Sequence, residues 1–250
     1  MMNIKNIFYV LLLCVSNACA IIIESDTVKT VLDYAFQPDT LIIFDIDNTI
    51  AHPTEELSSD EWFCHIVNKK MAEGHDYITS IYYALPVTYY AQFNVSLNYT
   101  ESLVPHLIAG LIDHHIPVMA LTTRSLFVAE RTLEQLEEIN VQFLIPHISQ
   151  EDLVLPLLHP CFYSRSILFA SNNDKGEALM ALLKHMNYYP KNIVFIDDKI
   201  KYIESVAKAV EPYNISFVGI RYSGCDDRVK NFNPTRAHNQ WLDLRYKRKN

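Results

Sequence analysis

The sequence predicts an α/β fold with a doubly wound, mainly parallel sheet and a small helical insertion. Three short runs of large apolar residues, near 41–45, 117–121 and 192–196, are continuous rather than alternating, which is typical of strands buried on both faces. Segments of helical period lie between the runs and are expected to cover both faces of the sheet. Two further strands are predicted near 141–145 and 215–220. We place the first strand centrally, beside 117–121 and 192–196.

The first twenty residues have the pattern of a cleaved export signal. Lys5 precedes an apolar run over 7–15, and Ala18-Cys19-Ala20 resembles a signal-peptidase site. We therefore expect an exported (periplasmic or secreted) protein, cleaved after Ala20, with no stable membrane association of the mature chain. An uncleaved anchor is the alternative, because Ile21-Ile22-Ile23 prolong the apolar run.

Size and charge limit the classes of partner. Removal of the signal leaves 230 residues (250 minus 20), enough for one α/β domain over 21–250 with a modest insertion. Lys5 leaves with the signal, so the formal charge changes from −8 to −9, from 20 Lys and Arg against 29 Asp and Glu. A chain of this charge is poorly suited to binding a nucleic-acid backbone. We therefore expect no nucleic-acid partner.

The stretch between the first strand and Pro117 is far longer than a strand-to-helix connection needs. Ser58-Ser59-Asp60-Glu61 is typical of a helix N-terminus, and an apolar stripe follows it as far as Gly74. A second helical pattern comes next, which Pro86 is expected to interrupt. We interpret residues 53–100 as a small helical insertion. The aromatic residues of its second helix are Tyr82, Tyr83, Tyr89, Tyr90 and Phe93. They are expected to be core, with stacking on a substrate ring as the alternative.

The remaining elements follow the same reasoning. Residues 25–39 are predicted as an amphipathic helix before the first strand. Residues 102–115 and 126–139 are predicted as helices on either side of the second strand. Residues 162–171 alternate in a way that indicates a strand pair or hairpin, and no function is assigned to the apolar excursion at 146–160.

Two carboxylates stand where the first strand ends. Asp45 and Asp47 point the same way if the chain stays near-extended. In an open α/β sheet the carboxyl ends of the strands open onto the ligand crevice. Carboxylates held together raise each other's proton affinity unless a cation is present. The alternative is a strand that ends in an Asx turn, with Asp47, Asn48 and Thr49 as capping residues.

Three later stretches place polar groups at comparable positions. Thr122 and Thr123 follow the second strand, and Asp197 and Asp198 end the strand at 192–196. Lys175 lies in the first turn of a helical pattern, where the helix dipole disfavours a cation. The order of acid pair, threonine, lysine and acid pair is more specific than any one of these signals.

In that order the four stretches resemble the four motifs of the haloacid dehalogenase-like (HAD) superfamily, most of whose members transfer phosphoryl groups. The resemblance extends from about Leu41 to Tyr222, and its most specific part is the DxDxT motif at the end of the first strand. It implies a Rossmann-like core in which the insertion forms a cap over the active site.

The resemblance also implies roles for individual residues. Asp45 resembles the nucleophile, Asp47 the general acid/base, Thr122 and Lys175 the phosphate-binding groups, and Asp197 a magnesium ligand. Asp45, Asp197 and the backbone carbonyl of Asp47 would form an all-oxygen set that suits Mg²⁺, which Asp198 would reach through a water. The implied activity is Mg²⁺-dependent hydrolysis of a phosphate monoester through an aspartyl-phosphate, with a small phosphorylated substrate as the implied partner.

Two alternatives remain. A secreted binding protein could keep the fold without catalysis, and another phosphotransferase of the same superfamily, such as a mutase, would use similar residues. An aspartate at position 47 is the phosphatase and mutase pattern of this superfamily. The presence of all five motif residues favours an enzyme over a binding protein.

Overall fold

The computed structural model describes residues 20–146, 148 and 150–246. The strands are β1 (Ala20–Ser25), β2 (Thr40–Phe44), β3 (Ala51–Pro53), β4 (Leu97–Tyr99), β5 (Val118–Thr122), β6 (Leu153–Leu155), β7 (Cys161–Ser164), β8 (Ile167–Phe169), β9 (Asn192–Asp197) and β10 (Ser216–Tyr222). The helices are α1 (Leu32–Ala35), α2 (Asp60–Ala72), α3 (Tyr77–Asn94), α4 (Val104–Asp113), α5 (Ala129–Glu138), α6 (Lys175–His185), α7 (Ile200–Val210), α8 (Asp226–Lys230) and α9 (Pro234–Tyr246). The predicted signal peptide lies, apart from Ala20, outside the described residues.

The main sheet has eight strands in the order β1-β10-β9-β2-β5-β8-β7-β6. The strands from β1 to β8 in that order run parallel, and β7 and β6 continue the sheet antiparallel at one edge. β2 lies between β9 and β5, so the predicted central position of the first strand is confirmed. Helices pack on both faces, and the predicted doubly wound, mainly parallel α/β fold is confirmed.

Alternate residues of β2 face opposite sides of the sheet. Ile42 and Phe44 pack in a core cluster with residues of α4 and α5, whereas Leu41 and Ile43 pack in a second cluster with residues of α6 and α7. All four side chains are fully buried. Burial on both faces explains why the strand has a continuous apolar sequence.

Four of the five predicted strands are present, and the strand predicted at 141–145 is wrong. Leu144 forms only an isolated antiparallel bridge to Val118 at the start of β5. Further along, the same edge of β5 is paired with β8, where Ala120 is the partner of Ile167. β8 belongs to the antiparallel pair β7–β8 that was predicted at 162–171. Because β8 takes this edge, the 141–145 segment has no partner along which to extend.

The helix predicted over 25–39 is shorter in the structure, because only residues 28–35 are helical. Residues Ala20–Ser25 form the edge strand β1, which pairs in parallel with β10. The Ser25 hydroxyl then donates to the carbonyl of Thr27 at 3.1 Å and ends the strand in a tight turn. A 3₁₀ turn at Val28–Val31 and the single turn α1 follow. The β-branched isoleucines of β1 favour a pleated strand, and β10 supplies the hydrogen-bonding edge.

Between β2 and β5, the antiparallel pair β3–β4 brackets the two helices α2 and α3, and α4 follows β4. Ser59 caps α2 by accepting a hydrogen bond from Trp62 N at 3.1 Å. α3 continues through Pro86, so the predicted interruption of the helix at this residue is wrong. Proline has no N–H, so the carbonyl of Tyr82 loses its helical partner. Pro86 and Tyr82 are both exposed, so water can replace the missing hydrogen bond.

The aromatic residues of α3 are mostly not core. Tyr82, Tyr83 and Phe93 are exposed, so the prediction that they belong to the core is wrong. Tyr90 packs edge-on against Trp241 of α9, at a ring-centroid distance of 5.8 Å.

Among the described residues, no helix combines the length and apolar character needed to cross a membrane.

The C-terminal helix α9 packs against the insertion. Trp241 lies 5.7 Å from Trp62 of α2, measured between ring centroids, in a small separate apolar cluster. Gln240 Oε1 accepts hydrogen bonds from the backbone N–H groups of Glu56 and Leu57, at 3.0 and 3.4 Å. α9 therefore holds the turn that leads into α2.

Candidate active site

Asp45 lies where β2 ends and the chain turns sharply. Its backbone N–H donates to the carbonyl of Ile196 at 2.9 Å, which keeps it aligned with β9. Asn48 adopts a left-handed conformation (φ 58°) in the turn that follows, as asparagine often does. The Thr49 hydroxyl donates to Asp45 Oδ2 at 3.2 Å and accepts from the backbone N–H of Asp198 at 3.0 Å. The turn thus connects the two acidic strand ends.

Lys175 enters the site from the first turn of α6, as its position in the sequence predicted. Its side chain is fully buried, and its Nζ lies 2.5 Å from Asp45 Oδ1 and 2.7 Å from Asp197 Oδ2. The ammonium group also lies 4.7 Å from the ring centroid of Tyr202. The structure therefore brings three of the five predicted site residues into direct contact.

The close packing of α6 on α7 fixes the position of this lysine. A Cβ at Gly176 would lie 2.4 Å from the carbonyl oxygen of Ser205, so only glycine permits the approach. The backbone N–H of Gly176 donates to the Ser205 hydroxyl at 2.9 Å. That hydroxyl donates in turn to the carboxylate of Asp174 at 2.6 Å. Lys175 is held between these two anchored residues.

Three carboxylates converge beside the lysine. Asp45, Asp197 and Asp198 each offer an oxygen, and these oxygens lie within 4.8 Å of one another. Asp197 is fully buried, Asp45 is almost fully buried, and Asp198 lies at the edge of the cluster. Lys175 contacts two of the three acids, so the cluster has more negative than positive charge.

The pKa values reflect this imbalance. Burial, together with the charges of neighbouring acids, raises the pKa of Asp45 to about 7 although Lys175 opposes the shift. Burial and the charge of Asp45 raise the pKa of Asp198 to about 9, against the effect of Lys199. Burial alone would lower the pKa of Lys175, but Asp197 and Asp45 raise it above its ordinary value. The lysine stays charged, and the acids would be stabilised by a further cation.

The donor set fits a hard divalent cation. Every group in the cluster presents oxygen, which suits Mg²⁺ better than a softer metal. Asp45 and Asp197 lie at the ends of the neighbouring strands β2 and β9, and Asp198 is close enough to be a third ligand. The side chain of Asp47 lies apart from the cluster in an ion pair, so only its backbone carbonyl corresponds to the predicted metal contact.

Asp47 is held by Arg124, which follows β5. Arg124 Nε donates to Asp47 Oδ2 and Nη2 donates to Oδ1, each at 2.8 Å, in a two-pronged pair. Burial alone would lower the pKa of Arg124, but Asp47 raises it, so the guanidinium remains charged. Asp47 is thus fixed as the partner of a cation, and the predicted alternative in which it caps a turn is wrong.

Arg124 is fixed from its other side by α5. Its Nη1 donates to Thr132 Oγ1 at 3.0 Å and to Gln135 Oε1 at 3.1 Å. Gln135 Nε2 donates to the backbone carbonyls of Gln92 and Val95, at 3.0 and 2.6 Å. A continuous chain of hydrogen bonds therefore connects Asp47 to the C-terminal end of α3.

Thr122 ends β5 and is fully buried. Phe44 of β2 pairs with Ala120 of β5. Asp45 and Thr122 both lie just beyond this pair, at the carboxyl ends of the two strands. The Thr122 hydroxyl accepts a hydrogen bond from the backbone N–H of Arg124 at 3.1 Å. Its role in binding phosphate stays a prediction.

A second ion pair connects the insertion to the core. Lys199, directly after Asp198, is bonded to the carboxylate of Asp60 at the start of α2. Burial would raise the pKa of Asp60, but Lys199 lowers it; the same pair raises the pKa of Lys199. The pair draws the first turn of α2 towards the acidic cluster.

Sequence reasoning missed Arg124, Lys199 and Asp60. Arg124 is two residues after Thr122, at the end of a predicted buried strand. A charged residue at such a position is a signal for a functional site. Lys199 stood beside the acid pair in the same way. Asp60 carries only the signal of a helix N-terminus, because nothing in the sequence connects it with Lys199.

A small cavity of about 70 Å³ opens on the side of Asp47 and Arg124 that faces the insertion. Its walls combine groups from both parts of the chain. The main polar lining residues are Asp47, Ser58, Ser59, Asp60, Thr88, Gln92, Thr123, Arg124, Ser125 and Asn172. Phe63, Leu85 and Tyr89 supply an apolar wall. This cavity lies beside the predicted general acid/base.

Several known proteins are similar to this chain. A Chlamydia trachomatis serovar D protein with the name "Putative outer membrane protein" is 26% identical over 221 residues, covering 86% of this chain and 83% of the relative. A Chlamydia pneumoniae protein with a similar name is 24% identical, covering 96% and 92%. A Chlamydia muridarum protein of the same name is 26% identical, covering 94% and 91%.

Among solved structures, the chain is similar to one described as a hydrolase, haloacid dehalogenase-like family protein, from Streptococcus pneumoniae. The TM-score is 0.41 at 12% identity, covering 76% of this chain and 97% of that chain. A protein family with the description "Protein of unknown function (DUF2608)" matches residues 23–247. The chain belongs to the DUF2608 family.

Proposed function

We propose that this protein is an exported, Mg²⁺-dependent phosphate monoester hydrolase that works through an aspartyl-phosphate on Asp45. The observation that carries the proposal is the contact of Lys175 with both Asp45 and Asp197 at the carboxyl ends of two central strands. Asp198 adds a third carboxylate, and the side chain of Asp47 is paired with Arg124. The resemblance of these residues to the HAD motifs points the same way.

Two residues divide the covalent chemistry. Asp45 attacks the phosphorus atom as its ester bond to the leaving group breaks, and Asp47 gives a proton to the departing oxygen. In the second step a water attacks the phosphorus of the aspartyl-phosphate and gives its proton to Asp47. Inorganic phosphate leaves, and the carboxylate of Asp45 is restored. The two acids are suited to separate tasks because only Asp45 contacts Lys175.

Charge compensation allows the dianion to approach. Lys175 stays protonated in the buried site and places a positive charge beside Asp45. Asp45, Asp197 and Asp198, together with the backbone carbonyl of Asp47, would hold Mg²⁺, which supplies orientation and neutralisation of the phosphoryl oxygens when bound. Thr122, with neighbouring backbone N–H groups, would hold the oxygens that face β5.

Arg124 acts as a positioning residue in this scheme. Its two-pronged contact with Asp47 fixes the carboxylate on the side of the site that opens into the cavity. A leaving group in that cavity would lie next to the acid that protonates it. The insertion over 53–100 forms the opposite wall, which supports its assignment as a cap.

Export is part of the same proposal. The first twenty residues have the pattern of a signal peptide, and the chlamydial relatives are named as outer membrane proteins. Hydrolysis would then take place outside the cytoplasm. Fractionation of cells that express the full chain should recover it from the periplasm or medium in a form shortened at Ala20.

The test is turnover of p-nitrophenyl phosphate by the purified chain from residue 21. Activity should require Mg²⁺, vanish in excess chelator and return when Mg²⁺ is added back. Asp33, an exposed aspartate of α1, gives a matched control, since Asp33→Asn should keep full turnover. Unchanged turnover in excess chelator, or no turnover of any phosphate ester with Mg²⁺, would overturn the proposal.

A further inference from the structure

In the part of the chain that the structure describes, two residues that line the cavity beside Asp47 carry buried polar atoms without hydrogen-bonding partners. Among the described residues, the buried Ser58 Oγ and Gln92 Oε1 have no hydrogen-bonding partner, although both residues line the cavity. A buried polar atom without a partner destabilises a fold by about 1–3 kcal/mol, so such atoms are rare. Two of them on one small cavity indicate that a bound group satisfies them.

Ser58 is held in a strained conformation that points to the same conclusion. It has φ 72°, in the left-handed region that a serine rarely adopts, and the residue is only 4% exposed. Such strain costs of order 1–3 kcal/mol and persists only where the surroundings enforce it. Here Gln240 of α9 binds Glu56 N and Leu57 N, and the Ser59 hydroxyl donates to the carbonyl of Glu56 at 2.8 Å. The turn is therefore built to present Ser58.

Gln92 is presented by a separate support. It lies near the end of α3, where Gln135 binds its backbone carbonyl at 3.0 Å. Both free acceptors thus belong to the insertion, and each is fixed by an element outside it. Both residues line the cavity together with Asp47 and Arg124.

The cavity also limits what can bind there. Its volume of about 70 Å³ is far below the roughly 300–1,000 Å³ of sites that enclose drug-sized ligands. Beside Ser58 and Gln92 its polar wall includes the neutral side chains of Ser59, Thr88 and Asn172. The charged side chains of the wall are already paired, Asp47 with Arg124 and Asp60 with Lys199. A short chain bearing hydroxyl groups matches both the volume and the two unpaired acceptors.

We infer that Ser58 and Gln92 select a short polyhydroxylated leaving group, so that the substrate is the phosphate monoester of a small polyol. This inference rests on the proposed phosphatase function. The hydroxyl groups of the leaving group donate to Ser58 Oγ and Gln92 Oε1 and hold the ester oxygen beside Asp47. A leaving group that lacks these hydroxyls leaves both buried acceptors unsatisfied, which is how a polar site discriminates between analogues.

The test compares glycerol 1-phosphate with n-propyl phosphate, which has the same carbon chain and no hydroxyl. We expect the wild-type kcat/KM to favour glycerol 1-phosphate by about 10-fold or more, mainly through KM. Ser58→Ala and Gln92→Leu should each reduce this preference by roughly 3- to 10-fold, the effect of one hydrogen bond. Ser96→Ala, which changes an exposed serine of the insertion, is the matched control and should keep the preference.

Ser58→Gly separates recognition from folding. Glycine accepts φ 72° without strain, so the variant should be at least as stable as the wild type in thermal unfolding and should still lose preference as Ser58→Ala does. Full preference in Ser58→Gly, or equal wild-type kcat/KM for the two esters with p-nitrophenyl phosphate still hydrolysed, would overturn this inference alone. No hydrolysis of any of the three esters would overturn the phosphatase function with it.

Discussion

The two halves of the candidate site differ in the kind of group they contribute. The core half consists of buried charges at strand ends and a helix start: Asp45, Lys175, Asp197 and Asp198. The insertion half presents the neutral side chains of Ser58, Thr88 and Gln92 beside aromatic rings, and the charged Asp60 of the same wall is paired with Lys199. Under the proposed function, the buried charges would act on the phosphoryl group and the neutral acceptors would distinguish one leaving group from another. The contrast indicates that chemistry and selection are located in different parts of the chain.

The two halves are also held in different ways. The core half is fixed by parallel strands and by the contact of α6 with α7 at Gly176. The insertion half depends on a few contacts from outside, with α9 through Gln240 and with α5 through Gln135. Changes in the core half should therefore abolish the reaction, and changes at the insertion should adjust it.

The largest effect is expected for Asp45→Asn. The variant lacks the attacking carboxylate, so turnover should fall for every ester, on the order of 10⁶-fold as for the loss of a serine nucleophile. Because one negative charge leaves a crowded cluster while Lys175 keeps Asp197, the fold should not be weakened in chelator. Steady-state rates and thermal unfolding of the same preparation check both points. Residual turnover within about 10-fold of wild type would remove Asp45 from the mechanism.

A smaller and selective effect is expected for Asp47→Asn. Loss of a general acid costs about 10²–10⁴-fold, and an alkyl phosphate should show this loss in the first step. p-Nitrophenolate is a weak base and leaves without the proton, so rapid mixing should show a burst followed by a slow steady state. If the first step slows equally for alkyl and aryl esters and no burst occurs, Asp47 has a positional role instead.

The crowded acids predict a pH-dependent effect of Mg²⁺ on stability. Asp45 and Asp198 have pKa values raised to about 7 and about 9, against about 3.9 in an unfolded chain. The folded state therefore binds more protons, and in chelator its stability should fall as the pH rises from about 4 through these values. Mg²⁺ relieves the repulsion, so it should raise Tm more at about pH 9 than at about pH 5.

Thermal scans with and without Mg²⁺ measure this difference. A change of about 1 kcal/mol shifts the Tm of a chain of this size by about 2–4 °C, which is readily resolved. Asp45→Asn is the matched control and should show a weaker pH dependence in chelator. A Mg²⁺ shift that is as large at acid pH as at alkaline pH would contradict the account of the cluster.

The smallest effect is expected for Gln240→Ala, which tests the support of the insertion half. The backbone N–H groups of Glu56 and Leu57 lose their acceptor, at a cost of about 1–2 kcal/mol in the free energy of unfolding. KM for the ester should rise while kcat changes little, because the core half is untouched. Asn239→Ala, on an exposed position of α9, should change neither value. A fall in kcat with unchanged KM would show that the two halves are not separable in this way.

The sequence predicted the core half well because its signals are local. Asp45 and Asp47 follow a continuous apolar run, and such a run implies a buried strand whose end faces the crevice. The parallel arrangement then brings Asp197 near Asp45 although 152 positions separate them (197 minus 45). Lys175 was noticeable because a cation is unfavourable at a helix start.

The insertion half could not be predicted in the same way. The contact of Lys199 with Asp60 and that of Gln240 with the turn at Glu56 depend on how distant elements pack. The strand predicted at 141–145 failed for a related reason, since β8 pairs with the edge of β5 that it would have needed. Local pattern predicts which face of an element is buried, but it does not predict which element covers that face.

The most direct test of the central claim is chemical trapping of the intermediate on Asp45. Enzyme mixed with p-nitrophenyl phosphate and Mg²⁺ is quenched with borohydride, which reduces an aspartyl-phosphate to homoserine, and the peptides are analysed by mass spectrometry. The account predicts homoserine at position 45 only when substrate and Mg²⁺ are both present, with a larger yield in Asp47→Asn because that intermediate breaks down slowly. Reduction at another carboxylate, or none while turnover proceeds, would contradict the assignment of Asp45 as the nucleophile.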